Sequence, residues 1–231
     1  MIIAGLQKLS LVDYPGLLAS VVFVQGCNFR CGWCQNPDLV VRKDLPPIPE
    51  KEVISFLSYR KPIIEGLVIT GGEPSIYEDL PVFIDKVKDL GLKVKLDTNG
   101  SNPPQLKSLL EGRKIDYVAL DIKTSFPKYH LVADIEGISH IVQESARLIM
   151  SSDVPYEFRT TCVPGMVDAS DIREIAEAVK GAKRYCLQQF RPFVTCDPAF
   201  AKVKPYSKET LGDFKKILSS YMQEVDMRGV Y

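Results

Sequence analysis

Cys27, Cys31 and Cys34 place three of the chain's six cysteines within "CNFRCGWC". A C-x3-C-x2-C loop of this kind can wrap a metal or a cluster while its backbone amides hydrogen-bond the sulfurs. A structural zinc site wants four protein ligands in a tetrahedron. The two histidines, His130 and His140, lie far along the chain, which leaves Cys162 as the one distant thiol able to complete such a site. Disulfides are disfavoured in a reducing compartment, and a two-cluster ferredoxin pattern needs more cysteines than are present. The leading reading is a 4Fe–4S cluster on three thiolates. Its fourth iron then stands open to a substrate or cofactor, and an open position is what separates a reactive site from a closed structural one.

The elements that would position these thiols follow a regular order. Short β-rich runs at 19–25, 66–70, 92–97, 115–121, 155–162 and 184–190 alternate with stretches of helical character near 49–60, 78–90, 103–112, 138–152, 168–180 and 207–226. Residues 2–16 read as an extra strand and turn, and 35–48 as an irregular stretch punctuated by prolines. Alternation of this type implies right-handed βαβ units and a parallel sheet. Six units are too few for a closed eight-stranded barrel, and alternation alone does not choose between an open partial barrel and a flat doubly wound sheet. The pointed residues share one address. The cysteines, "GGEP" (71–74), "DTNG" (97–100), "DIK" (121–123), "CVPG" (162–165) and "QQFRP" (188–192) all fall at carboxyl ends of expected strands, the edge where parallel α/β folds place their sites.

At 231 residues with 45% apolar and 25% charged residues, the chain reads as a single domain spanning 1–231 with a proper core. Lys plus Arg and Asp plus Glu are both 29, a balance that disfavours nucleic acid and anionic membranes as partners. There is no apolar run of transmembrane length and no signal-peptide pattern at the amino terminus. A cytoplasmic location is expected.

Cys27, Cys31, Trp33 and Cys34, read as C-x3-C-x-aromatic-C and followed by "GGEP" on the next strand, resemble the signature of the radical S-adenosylmethionine (SAM) superfamily. The resemblance implies a partial (β/α)6 TIM-like barrel with the added amino-terminal strand. It also implies reductive cleavage of S-adenosylmethionine at the cluster, giving a radical that removes hydrogen from a substrate. Residues 6–40 are similar to the amino-terminal portion of anaerobic ribonucleoside-triphosphate reductase activating proteins. "DTNG", "DIK" and "RTTCVPG" (159–165) are similar to segments of pyruvate formate-lyase activating enzymes. These likenesses imply an oxidoreductase whose substrate is a glycine of a large glycyl-radical enzyme, served by a low-potential electron donor such as flavodoxin or ferredoxin. Two other readings stay beside it: a formate-lyase-type activase, and a small-molecule or base enzyme such as a 7-carboxy-7-deazaguanine synthase.

The resemblance also distributes roles. Cys27, Cys31 and Cys34 become cluster ligands. Gly71 and Gly72 let backbone approach the cofactor amine, with Glu73 accepting a hydrogen bond. Trp33 packs beside cluster and adenine. Asp97, Thr98 and Asp121 match positions that hold a monovalent cation near the cofactor carboxylate in formate-lyase-type activases. Lys123 either neutralises those carboxylates and meets the cofactor or is a solvated lysine. Asn36 either contacts the cofactor or caps a turn. Arg159 either pairs with a carboxylate such as Asp121 or lies outside its strand. Formate-lyase activases carry a histidine near the end of the last barrel strand; here "LQQF" stands in its place, and Gln188 or Gln189, with Gln189 the expected contact, takes over. Cys162, Cys186 and Cys196 read as buried or incidental thiols.

Overall fold

The β-rich runs become one sheet of eight strands in the computed structural model, which describes residues 1–41 and 45–230. The strands are β1 (Ile3–Ser10), β2 (Ala19–Val24), β3 (Gly66–Gly71), β4 (Lys93–Thr98), β5 (Tyr117–Asp121), β6 (Tyr156–Cys162), β7 (Arg184–Gln189) and β8 (Glu224–Arg228). The helices are α1 (Pro37–Val41), α2 (Glu50–Arg60), α3 (Leu80–Asp89), α4 (Pro103–Glu111), α5 (Ile138–Met150), α6 (Ala169–Ala178) and α7 (Lys208–Ser219). Strand order follows chain order, with β1 antiparallel to β2 and β2 to β8 parallel. A sheet that steps in one direction through right-handed crossovers carries its helices on one face and curls. The result is a partial barrel whose edges are β1 and β8.

Successive strand residues face opposite sides of the sheet. Leu67 and Ile69, Val94 and Leu96, Val118 and Leu120, and Tyr185 and Leu187 all join the large apolar core beneath the helices. Their neighbours turn into the barrel. Near its amino-terminal end, Val21, Val68 and Tyr117 pack with Tyr14. Above them the lining becomes charged, with Lys95 and Asp97 on β4, Asp121 on β5, and Glu157 and Arg159 on β6.

Two sequence expectations need correction. The helix expected over 207–226 stops at Ser219, and residues 224–228 form a seventh parallel strand, with Arg184 opposite Glu224 and Gln188 opposite Arg228. Tertiary pairing decides this: Val225 joins the core while Arg228 turns inward to a buried carboxylate. The stretch expected to be irregular contains α1, although its residues 42–44 lie outside the described ones.

That carboxylate is Glu157, fully buried and gripped by both Arg228 Nη1 (3.0 Å) and Nη2 (2.6 Å), with Lys95 Nζ 3.9 Å away. Removing one partner of a buried pair strands the other charge. Arg228→Ala is therefore expected to destabilise the protein by roughly 3 kcal/mol in denaturant unfolding. Glu157→Met combined with Arg228→Met should recover most of that loss.

Candidate active site

The first two motifs meet through backbone. Val24 pairs with Gly71, and just past this point Gly72 N donates to Val24 O (2.8 Å) and Glu73 N to Gly26 O (2.8 Å). Gly71 has φ +110°, a conformation that side chains rarely accept. A Cβ on Gly72 would sit 1.8 Å from the Gly26 carbonyl oxygen, so no other residue fits there. The glycines thus let the turn after β3 lie directly against the entrance of the cysteine loop.

Glu73 braces this junction to the next strand. Its buried carboxylate accepts from Ser75 N (3.0 Å), Thr98 Oγ1 (2.7 Å) and Asn99 N (2.6 Å). Burial nevertheless pushes its pKa above the usual carboxylate value. Asn99, which the sequence presents only as part of a turn, reaches back to the loop. Its Nδ2 donates to Asn28 Oδ1 (3.0 Å) and lies 3.9 Å from Cys27 Sγ.

Arg159 lies between the two aspartates. Its Nε meets Asp121 Oδ1 at 2.7 Å and its Nη1 meets Asp97 Oδ2 at 3.0 Å. Lys95 Nζ stands 2.9 Å from the other oxygen of Asp97, and Lys123 Nζ 3.0 Å from that of Asp121. Burial alone would raise both carboxyl groups, but Arg159, with Lys95 or Lys123, outweighs it and holds both below the ordinary range. Asp121 in turn raises Lys123 against its burial, so the lysine is charged at neutral pH.

The cysteine loop forms the facing wall. Cys31 is buried and Cys27 and Cys34 are partly exposed. Burial pushes the Cys31 thiol up to about 12 and raises Cys27 as well. Backbone N–H groups already point at sulfur, from Phe29 to Cys27 (3.4 Å) and from Asn36 to Cys34 (3.5 Å). Trp33 is buried against Phe200 with ring centroids 5.7 Å apart.

Between these walls lies a cavity of about 230 Å³. It gathers the three thiols with Trp33, Asn36, Gly71, Gly72, Glu73, Asp97, Thr98, Asp121, Lys123, Arg159 and Gln188. Among the described residues, no three ligating side chains close on a single metal ion; the thiols share one wall instead. A larger hollow of about 960 Å³ opens at the opposite end of the barrel, between Tyr14, Lys93 and Pro155, and has no thiol in its lining.

Residues 21–182 match the family model described as the Radical SAM superfamily. The chain belongs to that superfamily. A protein of Methanocaldococcus jannaschii, provisionally named a glycyl-radical enzyme activating enzyme, is 32% identical over 99% of this chain and 96% of its own. That relation places the radical SAM chain among the glycyl-radical enzyme activating enzymes. The pyruvate formate-lyase 1-activating enzyme of Escherichia coli is 28% identical over 96% of this chain and 97% of its own. Among solved structures, Streptococcus suis SuiB bound to S-adenosylmethionine superposes with a TM-score of 0.68 at 18% identity. The match covers 89% of this chain and 49% of SuiB, so the chain spans about half the length of that neighbour. At that identity the likeness concerns the fold. No helix among the described residues is long and apolar enough to cross a membrane.

The cofactors of this radical SAM enzyme are a 4Fe–4S cluster and S-adenosylmethionine. The site fits the cluster: three thiols lie on one wall with amide donors aimed at sulfur, as iron–sulfur ligands require. One expected contact moves. Gln189 shares the parity of Leu187, faces away from the barrel interior and donates to Tyr206 O (3.2 Å), while Gln188 lines the cavity. The hydroxyl of Thr98 donates to Glu73, and side-chain cations face both Asp97 and Asp121.

The depressed aspartates set a sign for acid stability. Their ion pairs contribute fully above the unfolded carboxylate range near about pH 4. That contribution drains away as pH falls through the lowered folded values. Denaturant midpoints measured against pH should therefore drop below about pH 4. The drop should be shallower in the Asp97→Asn, Asp121→Asn double variant.

Proposed function

We propose that this chain is the cytoplasmic activase of an anaerobic ribonucleoside-triphosphate reductase and generates a glycyl radical on that partner. The size of the cavity carries the reading that the substrate is a protein. At about 230 Å³ it falls below the roughly 300–1,000 Å³ typical of small-molecule sites, and the same walls must also accommodate cluster and cofactor. That small volume supports a hydrogen donor that reaches the mouth from outside as part of a partner. The choice of reductase over formate-lyase is supported by residues 6–40 and by a glutamine, rather than histidine, at the end of β7.

In this reading Cys27, Cys31 and Cys34 would hold the cluster through their sulfurs. Bound there, the cluster and S-adenosylmethionine would supply one-electron reductive chemistry, with the electron coming from a flavodoxin- or ferredoxin-like donor. The chain's own part is binding, orientation and exclusion of water. The backbone of Gly71 and Gly72 comes close to the methionyl group. Lys123, and Arg159 once shared between the aspartates, present positive charge to its carboxylate, while Asp121 offers an acceptor to its amine. Trp33 and Asn36 flank the cluster side, and Gln188 closes the far wall. Glu73, already bonded three times to the protein, holds Thr98 and Asn99 in place.

Anaerobic mixing of the reconstituted enzyme, S-adenosylmethionine and a reductant with the reductase should give a glycyl doublet in electron paramagnetic resonance. A doublet with pyruvate formate-lyase but not with the reductase would overturn the choice of partner. Cys31→Ala should abolish iron binding and cofactor cleavage while circular dichroism shows an intact barrel. Gln188→Ala should weaken cofactor binding about tenfold, about 1.4 kcal/mol, by calorimetry, and Gln189→Ala should leave it unchanged.

A further inference from the structure

Nothing in the spacing of Cys196 connects it with the cysteine loop, yet the chain carries it there. Beyond β7, residues 191–200 run back across that loop as a strap. Gln35 Nε2 donates to Arg191 O (2.8 Å), Cys196 N to Cys34 O (3.1 Å) and Asp197 N to Gly32 O (2.8 Å). Phe200 then packs on Trp33, so closely that a Cβ on Gly32 would lie 2.5 Å from its ring. Cys196 is thus fixed from the backbone.

Its sulfur faces a particular partner. The Cys196 thiol lies beside that of Cys34, close enough for the two to interact, and remains partly exposed. Cys162 and Cys186, by contrast, are fully buried in the barrel wall. The 3.1 Å contact from Cys196 N to Cys34 O keeps the two Cα atoms within roughly 7 Å of each other. Disulfides bridge Cα atoms at such separations. While Cys34 ligates iron its sulfur is occupied; once the metal is gone, the thiol brought beside it by the strap is Cys196.

We propose that Cys34 and Cys196 form a redox pair: when an oxidant strips the cluster, the two thiols close a disulfide that keeps Cys34 from ligating iron until a thiol reductant opens it. The proposal rests on Cys34 being a cluster ligand and is independent of which glycyl-radical enzyme is the partner. With hydrogen peroxide the chemistry balances. Two S–H bonds and the O–O bond break, one S–S bond forms, two electrons pass from sulfur to peroxide, and two waters leave. A dithiol returns two electrons and two protons to restore both thiols.

The test uses the full chain, with iron removed anaerobically by a chelator. It is then treated with hydrogen peroxide, alkylated, digested after aromatic residues and read by fragmentation mass spectrometry. A Cys34–Cys196 linked peptide is expected in most cluster-free molecules and in none that retain the cluster. Iron uptake should be slowed by roughly tenfold or more until dithiothreitol is added. Cys196→Ser should abolish both the link and the block, whereas Cys186→Ser should keep both. Free Cys34, a link from Cys34 to Cys27 or Cys31, or a block that persists in Cys196→Ser would each overturn the proposal.

Discussion

The carbonyl of Gly26 decides where the chemistry of this barrel sits. It lies where β2 ends and the cysteine loop begins, accepts the N–H of Glu73 at 2.8 Å, and leaves no room for a side chain at position 72. The amide of the same residue donates to Leu39 O at 2.7 Å, so the exit of the loop is tied to its entrance. One peptide position therefore locks the thiol-bearing loop to the glycine turn of the neighbouring strand. Any side chain at 72 would push the two apart, and the cavity between them would lose a wall.

The second layer of order is electrostatic and costly. Asp97, Asp121 and Glu157 lie inside the barrel with Lys95, Lys123, Arg159 and Arg228. Ion pairs at this depth return little net stability, because the desolvation of each charge offsets most of the attraction. Their effect is to fix direction. Arg159 uses two different nitrogens on two different strands, so its guanidinium plane is set by β4 and β5 while its Cα belongs to β6.

Much of this was legible in the residues. The barrel strands show as β-branched runs, and their carboxyl ends show as the places where Cys, Gly-Gly-Glu-Pro and Asp cluster. What escaped has physical reasons. Gln188 and Gln189 are chemically identical, and only the register of β7 against Thr161 and Cys162 says which one faces inward. The strand Glu224–Arg228 is too short to stand out beside the helical pattern before it, and its evidence is a carboxylate on β6 that needs Arg228. Asn99 and Glu73 read as turn and cofactor residues, and the structure adds a hydrogen bond between them and one from Asn99 to Asn28 of the loop. Cys196 lies far from Cys34 in sequence, and only the strap brings the two together.

These features explain how the loop holds its three thiols along one wall. Gly26 pins the loop at both of its ends, and Cys196 and Asp197 hold its middle through Cys34 O and Gly32 O. Arg30 N donates to Val132 O at 2.7 Å from a third direction, and Phe29 packs edge-on against Tyr129 with ring centroids 6.4 Å apart. None of these contacts uses a sulfur ligand. These backbone and ring contacts order the loop independently of its sulfurs, in contrast to small domains that fold only around their metal. A partner that must bring its own backbone to the mouth then meets a surface whose shape is set before it arrives.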